Sequence, residues 1–169
     1  MNYINGNIII GELEYTVVEV KDHLADIMTS ISGAVSDYMH GKAIALDFSL
    51  LRKRGARTSS SSGVSTGAAS FAIAFDNAIT PIISAVDTHR HMPVAILKEG
   101  HPDFQEFSNA KTISITFIAR SDDHKKIYIP EPIELEGAEG LKPRWKLTKE
   151  ELKKDLEKLE RYADPMARE

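Results

Sequence analysis

The residues best suited to chemistry fall in two loops at the two ends of one apolar segment. The first loop follows a basic cluster, Arg52, Lys53, Arg54 and Arg57, and continues through Thr58, Ser59, Ser60, Ser61, Ser62 and Gly63 to Gly67. Hydroxyls and backbone amides beside guanidinium groups suit phosphate. The same composition also describes a mobile linker that buries almost nothing, and a basic cluster is usually a solvated face. The lysine of a phosphate-binding P-loop is absent. The second loop reads Ser84-Ala85-Val86-Asp87-Thr88-His89-Arg90-His91. His89 and His91 are two residues apart and would point to opposite sides of an extended segment, which is poor geometry for a shared metal. Two hydrogen-bonding loops flanking one helix could together hold a phosphorylated ligand.

The elements that must position these loops are readable from periodicity. Ile8 to Val20 is β-branched and predicts one or two strands, with a hairpin turn near Gly11. Asp22 is a good N-cap for a first helix over residues 22–39, in which Leu24, Ile27, Met28, Ile31, Val35 and Tyr38 recur at helical spacing. That stripe is either ordinary core or a surface that packs on a partner helix. Gly41 can take the left-handed position that ends the helix. Ala43 to Phe48 predicts a short strand. A second helix is expected over residues 68–80, ending or kinking near Ile79 because of Pro81. Met92 to Leu97 predicts a strand, Pro102 the first turn of a short helix, and the alternation of Ile113, Ile115 and Phe117 a half-buried strand with a hairpin partner at 126–129. Residues 131–169 form an acidic Pro/Gly connection and a last helix over 148–162, capped by Thr148 and Glu151. The expected organisation is therefore an α+β domain over 1–130, a small mixed sheet with two core helices, and a C-terminal appendage.

Composition narrows the function. The chain has 169 residues, 42% hydrophobic, enough for one domain with a real core. It has no Cys, so disulfides, thiolate metal sites and thiol chemistry are excluded from this chain. A net charge of −4 argues against general nucleic-acid binding. No apolar run reaches the roughly 20 residues of a membrane span, and the N-terminus lacks the pattern of a signal peptide. A cytoplasmic location is the expectation.

The central segment resembles the large, catalytic subunit of ribonucleotide reductases, most closely the adenosylcobalamin-dependent class. The matching text is LDFSLLRKRGA (46–56), SSGVSTGAASF (61–71), FDNAI (75–79) and MPVAILKEGHPDFQEFSNAK (92–111). Family members carry F-S-x-L-R-x-x-G, a Gly/Ser loop ending S-S-G-P-V-S-F, and R-R-G-A-N-M-A-I-L followed by H-P-D-I-x-E-F. The resemblance covers roughly Val20 to Ala119. It implies the allosteric specificity site rather than the reaction centre. Two helices from each of two subunits would pack as a four-helix bundle, with a deoxynucleoside triphosphate and magnesium at the interface.

By this resemblance Asp22 would accept a ribose hydroxyl, Arg57 through Gly63 would border the phosphates, and the loop containing His89 and Arg90 would relay effector identity. The chain departs from the family in three places. The radical-bearing cysteine and the redox cysteine pair have no counterpart. The G-G-T-R-R-G loop reads Val86-Asp87-Thr88-His89-Arg90-His91, without glycine. The proline after the loop's last Gly is Ala68. Three readings follow: a non-catalytic, homodimeric nucleotide-binding module; one chain of a split reductase, with adenosylcobalamin and the cysteines on a reductase-like partner; or an assembly protein that keeps the fold without the ligand. In the dimeric readings Ile31 stands in the middle of the partner-facing stripe.

Overall fold

The computed structural model describes residues 2–4, 6–58, 63–85, 91–130 and 150. The connection over 131–149 and all but one residue of the C-terminal helix expected over 148–162 lie outside the described residues. Seven strands form one sheet in chain order: β1 (Asn2–Ile4), β2 (Asn7–Ile10), β3 (Leu13–Glu19), β4 (Ile44–Asp47), β5 (Val94–Lys98), β6 (Thr116–Arg120) and β7 (Ile127–Tyr128). β1, β2 and β3 pair antiparallel, β3 through β6 run parallel, and β7 returns antiparallel. The parallel strands are joined by α1 (Leu24–Met39), α2 (Ala68–Ala85) and α3 (Phe104–Asn109). The expected α+β class and mixed sheet are what the chain adopts.

The parallel strands read as continuous apolar runs because both of their faces are covered. Ile44, Leu46 and Phe48 join Ala95, Leu97, Ile115 and Phe117 against all three helices. The intervening residues, Ala45, Val94, Ile96 and Ile118, form a second cluster on the face opposite α1, α2 and α3, with Ile8, Tyr15 and Ile127. This is why the Ile113–Phe117 alternation misleads: the strand it announces sits at Thr116–Arg120, with its last four residues buried.

Two helix boundaries differ from expectation. α1 is capped by His23, whose Nδ1 accepts the Ala25 N–H at 3.3 Å, because the Asp22 carboxylate is engaged elsewhere. Its far end is as expected, with Gly41 at φ +79°. α2 runs through Pro81 to Ala85. An interior proline costs about 3 kcal/mol, but Ile79, Ile82 and Ile83 pack on the core, and each such side chain returns about 1.5–3 kcal/mol when fully buried.

Polar joints fix the helices to the sheet. Asp76 in α2 is only 2% exposed. Its carboxylate accepts the N–H groups of Ile113, Ser114 and Ile115 at 2.7–3.2 Å, pinning α2 to the segment that leads into β6. Asp47, at the end of β4, accepts from Ser49 and from Arg120 Nε at 2.8 Å, both charged groups being buried. Replacing Asp76 by Ala would orphan three N–H groups, those of Ser114 and Ile115 buried and that of Ile113 part-buried. Urea denaturation should show a loss of about 3 kcal/mol, roughly 6–12 °C in Tm, with Asp76→Asn losing less because one acceptor oxygen remains.

Candidate functional site

The basic cluster turns out to be a scaffold for the Ser-rich loop. Leu51 closes a turn onto Phe48, and from Gly55 the chain runs back along its own continuation. Gly55 N–H donates to the Ser65 carbonyl, Ser65 N–H to the Ala56 carbonyl, Arg57 bridges to Val64, and Thr58 donates through both its N–H and its hydroxyl to the Gly63 carbonyl. The run at Ser59, Ser60, Ser61 and Ser62 lies outside the described residues, but both of its ends are tied. A linker reading does not describe the neck of this loop.

The loop returns to α2 through Gly67, at φ +93°. A Cβ here would lie 2.9 Å from Arg54 Cβ and 2.9 Å from Asp103 Oδ2, so only glycine fits. Asp103 belongs to the His101-Pro102-Asp103 turn before α3. Its carboxylate accepts the Arg54 N–H and the Ala68 N–H at 3.1 Å, occupying the N-terminus of α2. His101 supports it: Nδ1 accepts the Asp103 N–H at 3.0 Å, which leaves Nε2 as donor to the Leu51 carbonyl at 2.6 Å. The negative charge that a helix N-terminus favours is thus already supplied by the protein, so a phosphate would have to sit on the arginine side of the loop.

On that side lies a cavity of about 260 Å³, lined by Asp22, Leu24, Ile27, Arg52, Thr58, Gly63, Val64, Ser65, Thr66 and Phe71. Three separate stretches meet here: the start of α1, the basic cluster, and the loop leading into α2. Of the predicted site residues, Asp22, Thr58 and Gly63 are brought together. Arg57 is exposed at the neck, with its carbonyl accepting from Arg52 Nη1 at 2.6 Å. His89 and Arg90, like Ser59–Ser62, lie outside the described residues.

In the sequence Arg52 stands out only as one of four basic residues and as the Arg of the L-R-x-x-G text, with no role attached to it. It is the centre of the site. Its backbone N–H donates to Asp22 Oδ1 at 3.1 Å and its Nε to Asp22 Oδ2 at 2.9 Å. Both side chains are about one-third exposed, 31% for Arg52 and 33% for Asp22. A carboxylate offers about four acceptor positions and a guanidinium five donors, so each keeps capacity toward the cavity. Phe71, partly buried on α2, and Leu24 and Val64, both exposed, supply apolar wall. Only the fold connects Phe71 to Asp22; nothing in the local sequence separates it from other core aromatics.

A half-barrel of parallel strands with α1–α3 on one face, carrying between its first two helices a cavity of mixed apolar and polar lining, defines the class. The model of the ribonucleotide reductase barrel domain matches residues 15–122, and the chain belongs to that family. A solved structure, described as the Actinobacillus ureae class Id ribonucleotide reductase alpha subunit, is similar at 16% identity with a TM-score of 0.49, covering 62% of this chain. The match spans 19% of that subunit's length. No curated protein matches.

Gly67 and Gly55 give an internally controlled test of the loop. Both have positive φ, but a Cβ at Gly55 meets nothing within 4 Å. Alanine at either position should cost about 1–2 kcal/mol for the left-handed backbone. Gly67→Ala should lose at least about 1 kcal/mol more from the clash, read as the difference between the two urea midpoints.

Proposed function

We propose that this chain is a non-catalytic, ribonucleotide-reductase-like module that binds a nucleoside triphosphate, with a deoxynucleotide and magnesium the expected form, and that pairs with a second copy of itself. The convergence of Asp22, Arg52, Thr58, Gly63 and Phe71 on one cavity carries the reading. A carboxylate for a sugar hydroxyl, a guanidinium and a hydroxyl-lined loop for phosphate, and an aromatic wall for a base form a complementary set. The volume sits just below the roughly 300 Å³ at which ligand clefts begin, which is what one wall of a shared site would give.

The outer face of α1 supports pairing. Leu24, Met28 and Met39 are 62%, 44% and 54% exposed, with Val35 between them. Leu24 belongs both to this stripe and to the cavity wall, so a second copy laid along α1 would close the site. Ile31 does not belong to the stripe: it is 6% exposed and packs in the chain's own core. An aspartate at Ile31 would therefore unfold the domain rather than split a dimer. Met28→Asp is the appropriate change, since it alters the surface alone. Sedimentation should show a dimer for wild type and a folded monomer for Met28→Asp; a wild-type monomer would contradict pairing.

The residues do not fit cobalamin-driven reduction. With no Cys in the chain there is no thiol to carry a substrate-attacking radical or to supply reducing equivalents, and ribonucleotide reduction by this chain alone is not part of the reading. A thermal-shift panel of ribo- and deoxyribonucleoside triphosphates with magnesium tests binding. A ligand at 100 times its Kd adds about 2.7 kcal/mol, several degrees for a domain of this size. Asp22→Ala and Arg52→Ala should each abolish the shift. Absence of any shift in the wild type would turn the reading toward an assembly role, for which the α1 stripe is the supporting feature.

A further inference from the structure

The sheet closes on itself through residues that lie outside the family-matched segment. β1 and β7 are six strand spacings apart in the sheet order. In a flat sheet that is about 29 Å, at roughly 4.8 Å per spacing. Yet the Tyr3 ring of β1 and the His124 ring of the β6–β7 turn stand edge to face with centroids 5.4 Å apart. The sheet is therefore rolled until its two margins meet. The residues on the face turned away from α1, α2 and α3 are accordingly sealed: Ile8, Ala45 and Ile96 are 0% exposed, although among the described residues no helix covers them.

Both margins are built for this contact. His124 is the only non-glycine residue with positive φ among the described residues, at +62°. That conformation is uncommon for a residue with a Cβ and has to be held by its surroundings. The turn holds it: the Ser121 hydroxyl donates to Asp123 Oδ1 and accepts the N–H groups of Lys125 and Lys126. On the other margin, β2 pairs along β3 from Asn7–Thr16 to Ile10–Leu13 and directs Ile8 and Ile10 into the same cluster. The Tyr3 hydroxyl is raised above its ordinary pKa first by burial, then by the Asp47 carboxylate, as expected for a ring lying over the mouth of the roll near the Asp47–Arg120 pair.

We propose that the β1–β2 hairpin and the β6–β7 turn act together as a closure that replaces the remainder of the barrel, so that the concave face of the half-barrel is a private core and not a docking surface for a second barrel half. The family-matched residues 15–122 contain β3 through β6 apart from the first two residues of β3, while β1, β2, His124 and β7 all lie outside them. An added barrel half would have to pair with β3 or with the end of β6. β2 holds the first edge and β7 covers Ala119 and Arg120 of the second. The closure thus disfavours the split-enzyme arrangement on structural grounds that are independent of nucleotide binding.

The absence of native cysteine makes the test direct. Tyr3→Cys/His124→Cys in the full chain should be joined within one molecule by a short bifunctional thiol cross-linker under native conditions, in most of the population, and not after denaturation in urea. A cross-link yield in the folded protein no higher than in urea would overturn the closure. As a second reading, Tyr3→Ala in the otherwise unchanged chain should increase binding of a hydrophobic dye several-fold while far-ultraviolet circular dichroism stays folded. A folded Tyr3→Ala protein with dye binding equal to wild type would likewise count against Tyr3 as the seal.

Discussion

The geometry of the cavity depends on one carboxylate. Asp103 reaches from the turn before α3 to the Arg54 amide and to the first amide of α2, and it does so against a glycine that has no room for a side chain. An α-helix leaves its first amides without internal partners. Supplying one of them from a distant turn fixes where α2 begins, and hence where the Ser-rich loop must return. The His101 ring in turn orients the Asp103 turn and ties it to Leu51. Arg52, Arg54, Gly67 and Phe71 are held in one frame by these few bonds. Without them the loop neck and the start of α2 would have no common anchor, and Arg52 would lose its fixed distance from Asp22.

The same device recurs wherever the chain needs stiffness. Asp76 binds three consecutive amides ahead of β6, and Asp47 joins the ends of β4 and β6 through Arg120. Buried carboxylates are costly unless their lone pairs are filled, and here each accepts several donors. The chain therefore stiffens its half-barrel with a few buried carboxylates. The consequence for function is a preformed wall on the Asp22–Arg52 side of the cavity.

Much of this was legible in the sequence. The hairpin at Gly11, the end of the first helix at Gly41 and the H-P-D turn are local, and residue type announces each. Long-range pairing was not legible. Asp22 is a convincing N-cap by position, yet Arg52, thirty residues on, claims its carboxylate, and His23 takes over the cap. Pro81 reads as a stop, but the helix continues because Ile82 and Ile83 have core to bury against. Ile31 and Met28 look equivalent on a helical stripe, and only the position of the sheet tells which one is inside. Tyr3 and His124 are isolated aromatic residues in the sequence and meet only because the sheet rolls.

The most direct test of the central claim is an NMR titration of the magnesium deoxynucleoside triphosphates, read at the Arg52 Nε–H and at the Thr58 and Gly63 amides. Binding in the cavity predicts saturable, concerted shifts at all three, because the Arg52 Nε–H is held by Asp22 and must sense any anion brought beside it. Saturable shifts confined to another surface, or none at these three groups at millimolar nucleotide, would contradict the assignment of this cavity as a nucleotide site.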